Sequence, residues 1–210
     1  MNVEAFKTAV ILAGGKSSRM GFDKQFLTIN KVRIMEKLIH ELSKEFEDII
    51  IVTNKPEDYK EDGFRIISDE IKEFGPLSGI HVGLKQSKSK YVYFIACDMP
   101  DVSLDYISYM KKELTNSKAK ACIAKRDEQV EPFNAFYSVD ILPEIEKLIA
   151  LNRRSMLGLI DIIEPIFIEE NRLKKYDCSF DMFINLNSRE DLEIYNRRNK
   201  QEENYDWFVW

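Results

Sequence analysis

The chain has 210 residues, of which 44% are hydrophobic, and this suits one domain with a full core and at most a small appendage. The net charge of −5 argues against a general nucleic-acid-binding protein, because such proteins usually carry a basic excess. No signal peptide, no membrane-length apolar run and no C-x-x-C spacing is visible. We therefore expect a cytoplasmic protein with reduced thiols and neither nucleic acid nor membrane as partner.

Apolar patterning predicts strands that alternate with helices along the chain. Apolar runs at residues 9–12 and 91–97 and a β-branched run at residues 48–54 are typical of strands covered on both faces, as in a parallel sheet. Further strands are predicted at residues 64–69, 119–124, 133–138, 163–168 and 183–186, and helices at 32–46, 80–88, 104–115, 140–151, 156–160 and 188–197. The prediction is an α/β fold, a three-layer αβα Rossmann-like arrangement with a mainly parallel sheet. It occupies residues 1–198, and a polar then aromatic tail follows at 199–210.

A glycine pair, Gly14-Gly15, follows the first strand and is followed by the cations Lys16, Arg19 and Lys24. Glycines let the backbone approach a ligand closely, and loop N–H groups beside a helix start favour an anion. A nucleotide polyphosphate is the simplest ligand, and a solvated glycine-rich turn is the alternative. The loop is neither a Walker loop nor a G-x-G-x-x-G dinucleotide fingerprint, because both spacings fail.

Three other predicted strands end in polar side chains, namely Asn54, Asp69 and Asp98. Ligands of open α/β sheets bind at the carboxyl ends of the strands. We therefore expect these three side chains and the glycine loop to line one edge of the sheet.

Each candidate also has a purely structural interpretation. Asp98 either holds Mg²⁺ across phosphate oxygens or caps the next helix. Asp69 binds a nucleobase, a ribose or a second metal, or it caps a turn. Asn185 and Asn187 share one face of a predicted late strand, where they hold a metal or a phosphate or simply form a turn. Residues 75–79 offer a turn and a free helix N-terminus, which is a weak signal alone.

The ordered motifs resemble those of the GT-A-like nucleotidyltransferases, and in particular the molybdenum cofactor guanylyltransferases. The motifs that carry the resemblance are Leu12-Ala13-Gly14-Gly15, Arg19-Met20-Gly21, Asp23-Lys24, Asp69, Gly75-Pro76-Leu77-Ser78-Gly79, Ala96-Cys97-Asp98-Met99-Pro100, Glu131-Pro132 and Phe183-Ile184-Asn185-Leu186-Asn187. Two departures exist: Ser188-Arg189 stands where the family usually has Thr-Pro, and the Trp-rich tail is outside the pattern.

The resemblance implies transfer of GMP from GTP to molybdenum-molybdopterin, with Mg²⁺ as cofactor and pyrophosphate as the second product. By this resemblance, the backbone of Leu12, Ala13 and Gly14 contacts the nucleotide, and Lys24 approaches the phosphates. Asn54 and Asp69 are expected to contact the nucleoside, and Asp98 to bind GTP and the metal. Asn185 and Asn187 are expected to shape the pterin side and the metal site. Other cofactor-biosynthesis proteins and apo-molybdoenzymes are the implied protein partners.

The implied chemistry is an in-line attack of the molybdopterin phosphate on the α-phosphorus, which needs no general base because the nucleophile is already anionic. Arg19 and Lys24 would stabilise the phosphates, and Asp98 would hold the metal. Two alternatives remain open at this point. One is a related nucleotidyltransferase that uses CTP or another acceptor, and the other is a non-catalytic nucleotide-binding or cofactor-delivery module.

Overall fold

The structure is a computed structural model that describes residues 3–14, 28–29, 32–59, 64–71, 74–177 and 179–205. Its strands are β1 (Thr8–Leu12), β2 (Thr28–Ile29), β3 (Val32–Arg33), β4 (Asp48–Val52), β5 (Arg65–Ile67), β6 (Tyr91–Ala96), β7 (Ala121–Arg126), β8 (Gln129–Ser138) and β9 (Ile166–Glu169). Its α-helices are α1 (Ile34–Leu42), α2 (Pro76–Gln86), α3 (Leu104–Thr115), α4 (Leu142–Ala150), α5 (Met156–Ile163), α6 (Glu170–Leu173) and α7 (Arg189–Tyr205). Short 3-10 helices lie at Val3–Phe6, Pro56–Tyr59, Val139–Ile141 and Asp181–Phe183.

Seven strands form one mostly parallel sheet in the order β5-β4-β1-β6-β8-β7-β9. The first four strands in this order are mutually parallel, whereas β8 runs antiparallel to both of its neighbours. Strand β9 pairs in parallel with β7. The carboxyl ends of β7 and β9 therefore lie at the same edge as those of the first four strands. A separate antiparallel pair joins β2 and β3.

The sheet carries a hydrophobic core on each face, because its central strands are almost entirely apolar. On one face, Ile11, Ile51 and Tyr93 pack with helices α1 and α3. On the other, Val10 and Phe94 pack with helices α2, α4 and α5. Two cores that enclose one sheet confirm the predicted three-layer αβα architecture. None of the described helices combines the length and the apolar character that crossing a bilayer requires.

The structure corrects the sequence prediction at several elements. Helix α2 begins at Pro76 rather than Ile80, because the proline occupies the first turn of the helix and does not break it. Strand β8 begins at Gln129, ahead of the predicted 133–138, and a register irregularity against β7 accommodates Pro132. The predicted strand at 183–186 is wrong, since a 3-10 helix ends at Phe183 and irregular backbone follows.

The C-terminal helix is longer than predicted. Helix α7 continues without a break through residues 198 and 199, where we placed the boundary between domain and tail. That boundary stays a prediction, and the aromatic residues 206–210 lie outside the described part of the chain.

Candidate functional site

Four parallel strands end flush with one another. Leu12 at the end of β1 is in register with Val52 at the end of β4 and with Ala96 at the end of β6, and Val52 is in register with Ile67 of β5. Backbone hydrogen bonds continue one residue further, from Ala13 N to the Val52 carbonyl (2.8 Å), from Thr53 N to the Ile67 carbonyl (2.9 Å) and from Cys97 N to the Leu12 carbonyl (3.0 Å). The next residues, Gly14, Asn54, Asp69 and Asp98, therefore leave the sheet at one edge, as the sequence predicted.

Gly14, Asn54 and Asp69 form a contiguous group at this edge. A Cβ added to Gly14 would lie 3.7 Å from the Nδ2 of Asn54, so the exposed glycine backbone runs directly beside that amide. Asn54 Nδ2 in turn donates a long hydrogen bond of 3.5 Å to Asp69 Oδ2. Leu12 and Ala13 lie deeper, with Leu12 buried and Ala13 half-buried. Their contribution to a ligand site would come from the backbone.

The second oxygen of Asp69 lies buried beneath this group. Its Oδ1 has no hydrogen-bond partner among the described residues. Burial raises the pKa of the Asp69 carboxyl above its usual range, although the hydrogen bond from Asn54 acts in the opposite direction. A buried acceptor without a donor is costly in the free protein and is satisfied when a ligand brings an N–H or O–H group. The buried Oδ1 therefore favours a ligand contact over a turn cap at Asp69, and this role stays a prediction.

The first turn of helix α2 forms the back of the same edge. Gly75 enters the helix with φ 57°, a backbone conformation that favours glycine, and Pro76 follows at the first helical position. A Cβ at Gly79 would approach Leu12 Cδ2 to 2.8 Å and Asp69 Oδ1 to 3.9 Å. Only glycine lets the helix approach the ends of the strands so closely. The positive end of the helix therefore faces the site, where it favours an anion.

Asp98 lies on the turn that follows β6, and its side chain is half-buried. The hypothesis that it caps the next helix is wrong, because the hydroxyl of Ser103 accepts the hydrogen bond from Tyr106 N at the start of α3. The backbone carbonyl of Asp98 accepts a hydrogen bond of 2.8 Å from Leu186 N. The C-terminal segment thus contacts the turn that carries Asp98.

Asn185 and Asn187 flank this contact but do not alternate along a strand. Asn185 Nδ2 donates to the Phe183 carbonyl (3.3 Å), so its amide partly stabilises the local turn. Asn187 is exposed, and its backbone N–H donates to Asp191 Oδ2 (2.8 Å). Both asparagines lie next to the turn of Asp98 through Leu186, and their roles toward an acceptor or a metal stay predictions.

Ser188 and Asp191, three residues apart, cap the start of helix α7. Ser188 Oγ accepts from Asp191 N (3.0 Å), and Asp191 Oδ2 accepts from Ser188 N (2.7 Å). This is a reciprocal capping box with Asp in the position usually taken by Glu or Gln. The Ser-x-x-Asp spacing was the signal that could have located this anchor of α7.

The charged part of the first loop cannot be compared with the prediction. Gly15, Arg19 and Lys24 lie outside the described residues, and their roles stay predictions. Among the residues that the structure describes, no three His, Cys, Asp or Glu side chains cluster as a metal site. Mg²⁺ needs no such cluster, because it commonly binds one or two carboxylates together with substrate phosphates. Asp98, at the sheet edge where the parallel strands end, fits that mode of binding.

Comparisons with known proteins agree with this geometry. The sequence profile of the MobA-like NTP transferase domain matches residues 9–163. A molybdenum cofactor guanylyltransferase from Syntrophotalea carbinolica is 46% identical over 193 residues, which cover 92% of each chain. A probable molybdenum cofactor guanylyltransferase from Peptoclostridium acidaminophilum is 42% identical over 202 residues, which cover 94% of this chain and 91% of that protein.

One solved structure has the same fold over nearly the whole chain. Molybdopterin-guanine dinucleotide biosynthesis protein A from Archaeoglobus fulgidus matches with a TM-score of 0.82 at 23% identity, and the match covers 92% of this chain and 99% of that chain.

Proposed function

Because this chain belongs to the family of MobA-like NTP transferases, we propose that it transfers GMP from GTP to molybdenum-molybdopterin. The terminal phosphate oxygen of the acceptor forms a bond to the α-phosphorus, and the bond between the α-phosphorus and the bridging oxygen breaks. The electron pair of that bond leaves with pyrophosphate. The products are molybdopterin guanine dinucleotide and pyrophosphate.

The unpartnered Oδ1 of Asp69 is the observation that carries the choice of guanine. The guanine base has two adjacent donor groups, N1–H and the N2 amino group, and a carboxylate accepts from both. The corresponding edge of cytosine presents one donor, the N4 amino group, beside acceptors at N3 and O2, so a carboxylate can accept from only one group there. Asn54, hydrogen-bonded to Asp69 Oδ2, would hold the carboxylate in orientation while Oδ1 waits for the base.

The backbone of Gly14 and the first turn of α2 would position the ribose and phosphates. Exposed Gly14 lies beside Asn54, and the positive end of α2 faces the same edge. Arg19 and Lys24 would neutralise the α-phosphate and the departing pyrophosphate, as in other phosphoryl transfers that depend on positioning and charge.

Asp98 would hold Mg²⁺. When bound, Mg²⁺ supplies positive charge across the phosphate oxygens. The half-buried carboxylate at the end of β6 would place that charge next to the nucleotide phosphates, and its backbone contact with Leu186 would keep the turn in place. Asn185 and Asn187, on either side of Leu186, would then face the acceptor side of the cleft.

Two measurements test the proposal. The first is calorimetric titration of the protein with GTP, CTP, ATP and UTP in the presence of Mg²⁺, where we expect GTP to bind best. The second is pyrophosphate release from GTP with molybdenum-molybdopterin as acceptor, where we expect turnover that requires both substrates. Asp69→Asn is the matched variant, because it keeps the shape of the side chain and removes the charge that would read guanine.

Other outcomes point to other functions. A preference for CTP would indicate a cytidylyltransferase of the same fold. Tight GTP binding without pyrophosphate release in the presence of the acceptor would indicate a nucleotide-binding or cofactor-delivery module. Protein partners, including apo-molybdoenzymes, would follow from the product, and co-purification of the loaded protein with a molybdoenzyme would test them.

A further inference from the structure

Three polar side chains from distant parts of the chain meet just beyond the candidate site. Asp101 Oδ1 accepts hydrogen bonds from Lys37 Nζ (2.7 Å) and from the Tyr195 hydroxyl (2.7 Å). Lys37 Nζ also donates to the Tyr195 hydroxyl oxygen (3.2 Å). Lys37 belongs to α1, Asp101 follows the turn of Asp98, and Tyr195 belongs to α7. We call these three residues the 37–101–195 network.

The network is partly shielded from water. Tyr195 is buried, and about a third of the Lys37 and Asp101 side chains is exposed (36% and 29%). Burial lowers the pKa of Lys37, but the hydrogen bond to Asp101 and its charge outweigh this effect and leave the pKa raised. Lys37 is therefore protonated and Asp101 has a full positive partner, which makes both hydrogen bonds to the carboxylate charge-assisted.

The short connection between Asp98 and Asp101 is stiff. Met99 is buried with 1% exposure, and its N–H donates to the Ala96 carbonyl (3.1 Å). Pro100 is also buried, and its ring fixes its own φ and restricts the residue before it. Fixing Asp101 therefore fixes the direction in which Asp98 leaves β6.

The C-terminal segment contacts this turn at two points. Leu186 N binds the backbone carbonyl of Asp98, and the hydroxyl of Tyr195 binds the side chain of Asp101. The capping box of Ser188 and Asp191 lies between the two contacts and makes the start of α7 rigid. The segment thus clamps the turn of Asp98 from both ends, and Lys37 ties the same turn to α1.

We propose that Lys37, Asp101 and Tyr195 are positioning residues that set the Asp98 carboxylate for metal-assisted binding of the nucleotide phosphates. The inference rests on the proposed function and adds residues that neither the motifs nor the strand ends predict. By this proposal, the hydroxyl of Tyr195 on helix α7 helps to set the position of the Asp98 carboxylate at the end of β6.

The test compares two tyrosine hydroxyls that each bind a charged group. Tyr195→Phe removes the hydroxyl of the network and keeps the buried ring. Tyr109→Phe is the matched control, because the Tyr109 hydroxyl accepts a hydrogen bond of 2.8 Å from Arg172 Nη1. Tyr109 and Tyr176 stack on each other at 5.0 Å between centroids, and Phe keeps that stacking. Lys37→Gln is a second network variant in case Tyr195→Phe unfolds.

The readout is GTP affinity by calorimetry, measured once with Mg²⁺ and once with EDTA. In Tyr195→Phe, we expect the Mg²⁺-dependent gain in affinity to fall about fivefold, because the lost charge-assisted hydrogen bond is made to Asp101 and only part of its effect reaches Asp98. Affinity in EDTA should match the wild type. We also expect kcat to fall about tenfold with little change in KM for the acceptor, since a small displacement of a catalytic group costs rate. Tyr109→Phe should match the wild type in every measurement.

The possible results separate the two proposals. Wild-type values for both Tyr195→Phe and Lys37→Gln would overturn the positioning role and leave the proposed function intact. Equal losses in Tyr195→Phe and Tyr109→Phe would also overturn it, because they would indicate general destabilisation. A wild-type protein that binds no GTP, or binds GTP and transfers nothing, would overturn the proposed function itself. The positioning role is supported if Tyr195→Phe and Lys37→Gln both lose Mg²⁺-dependent affinity for GTP while Tyr109→Phe keeps it.

Discussion

Replacing Asp69 by Asn should stabilise the nucleotide-free protein and weaken its binding of GTP. The buried Oδ1 has no donor among the described residues, and burial raises the pKa of this carboxyl, so the fold disfavours the charged form. Asn keeps the shape, can still accept a hydrogen bond from Asn54, and has no charge to bury. The substitution would thus remove the cost of burying the charge and also the charged group that we propose recognises guanine.

The structure sets the size of both effects. Asn leaves a polar atom in the place of Oδ1, so the substitution removes only the cost of burying the charge. Asp69 is half-buried, so we assign about 1 kcal/mol to that charge, which raises the thermal midpoint of a domain of this size by about 2–4 °C. Hydrogen bonds to charged groups contribute about 1.5–3 kcal/mol, so GTP affinity should fall by about 10- to 150-fold.

The stability gain should depend on pH in one direction. A carboxyl whose pKa is raised on folding binds more protons in the folded state, so its contribution to stability falls as the pH rises past its ordinary value of 3.8. Below that value the carboxyl is neutral in both states and carries no penalty. The advantage of Asp69→Asn should therefore be full at neutral pH and shrink as the pH is lowered toward 3.8.

Thermal unfolding over this pH range and calorimetric titration with GTP measure the two effects. Glu70→Gln is the control, because Glu70 is exposed and pairs with Lys85 at the surface (2.5 Å). That substitution should leave the thermal midpoint and GTP affinity close to wild type. A lower midpoint for Asp69→Asn at neutral pH, or wild-type affinity for GTP, would refute our account of this carboxylate.

Three further substitutions test the phosphate site, the core and the last helix. Asp98→Asn should lower kcat at least about 100-fold while circular dichroism stays unchanged, because it removes a charge that acts on the phosphates; retained activity would exclude Asp98 as metal ligand. Gly83→Ala should destabilise the fold by about 1–3 kcal/mol in denaturant titrations, because the new Cβ would meet Phe94 Cε1 at 2.7 Å in a full core; unchanged stability would show that Phe94 can move. Asp191→Ala should cost about 1 kcal/mol in the same titration, since it removes the reciprocal helix cap, whereas Glu193→Ala on the exposed face should cost almost nothing.

The sheet edge at Gly14, Asn54 and Asp69 could be predicted because its signals are local. Strands β1, β4 and β6 are almost entirely apolar, and each ends within two residues of its predicted position. Helix α3 matches the predicted 104–115 at both ends, because its apolar residues keep a regular helical spacing. Parallel register then brings the polar residues after these strands to one edge without further information.

The backbone of residues 183–186 and of strand β8 could not be predicted in the same way, because contacts between distant parts of the chain determine its conformation. Phe183-Ile184-Asn185-Leu186 alternates like a strand, yet Leu186 N bonds to the turn of Asp98 and not to a neighbouring strand. Pro132 looks like a break, yet β8 runs through it beside Asn134, whose φ of 59° marks the irregular backbone there. Asn134 Nδ2 binds the Met182 carbonyl (3.0 Å) and so holds the 3-10 helix in place.

The residues that could be predicted are placed by the parallel sheet, whereas those that could not are placed by the C-terminal segment. The same division separates the residues proposed to bind the base from those proposed to act in phosphate transfer. Gly14, Asn54 and Asp69 are positioned by the register of β1, β4 and β5, whose pairing joins these strands to one another and not to the C-terminal segment. Asp98 leaves the same sheet, but its backbone carbonyl binds Leu186, and Asp101, three residues later, binds Tyr195. Both of these partners belong to the C-terminal segment. Changes in the C-terminal segment should therefore impair phosphate transfer while leaving recognition of the base largely intact, and changes at Asp69 should do the reverse.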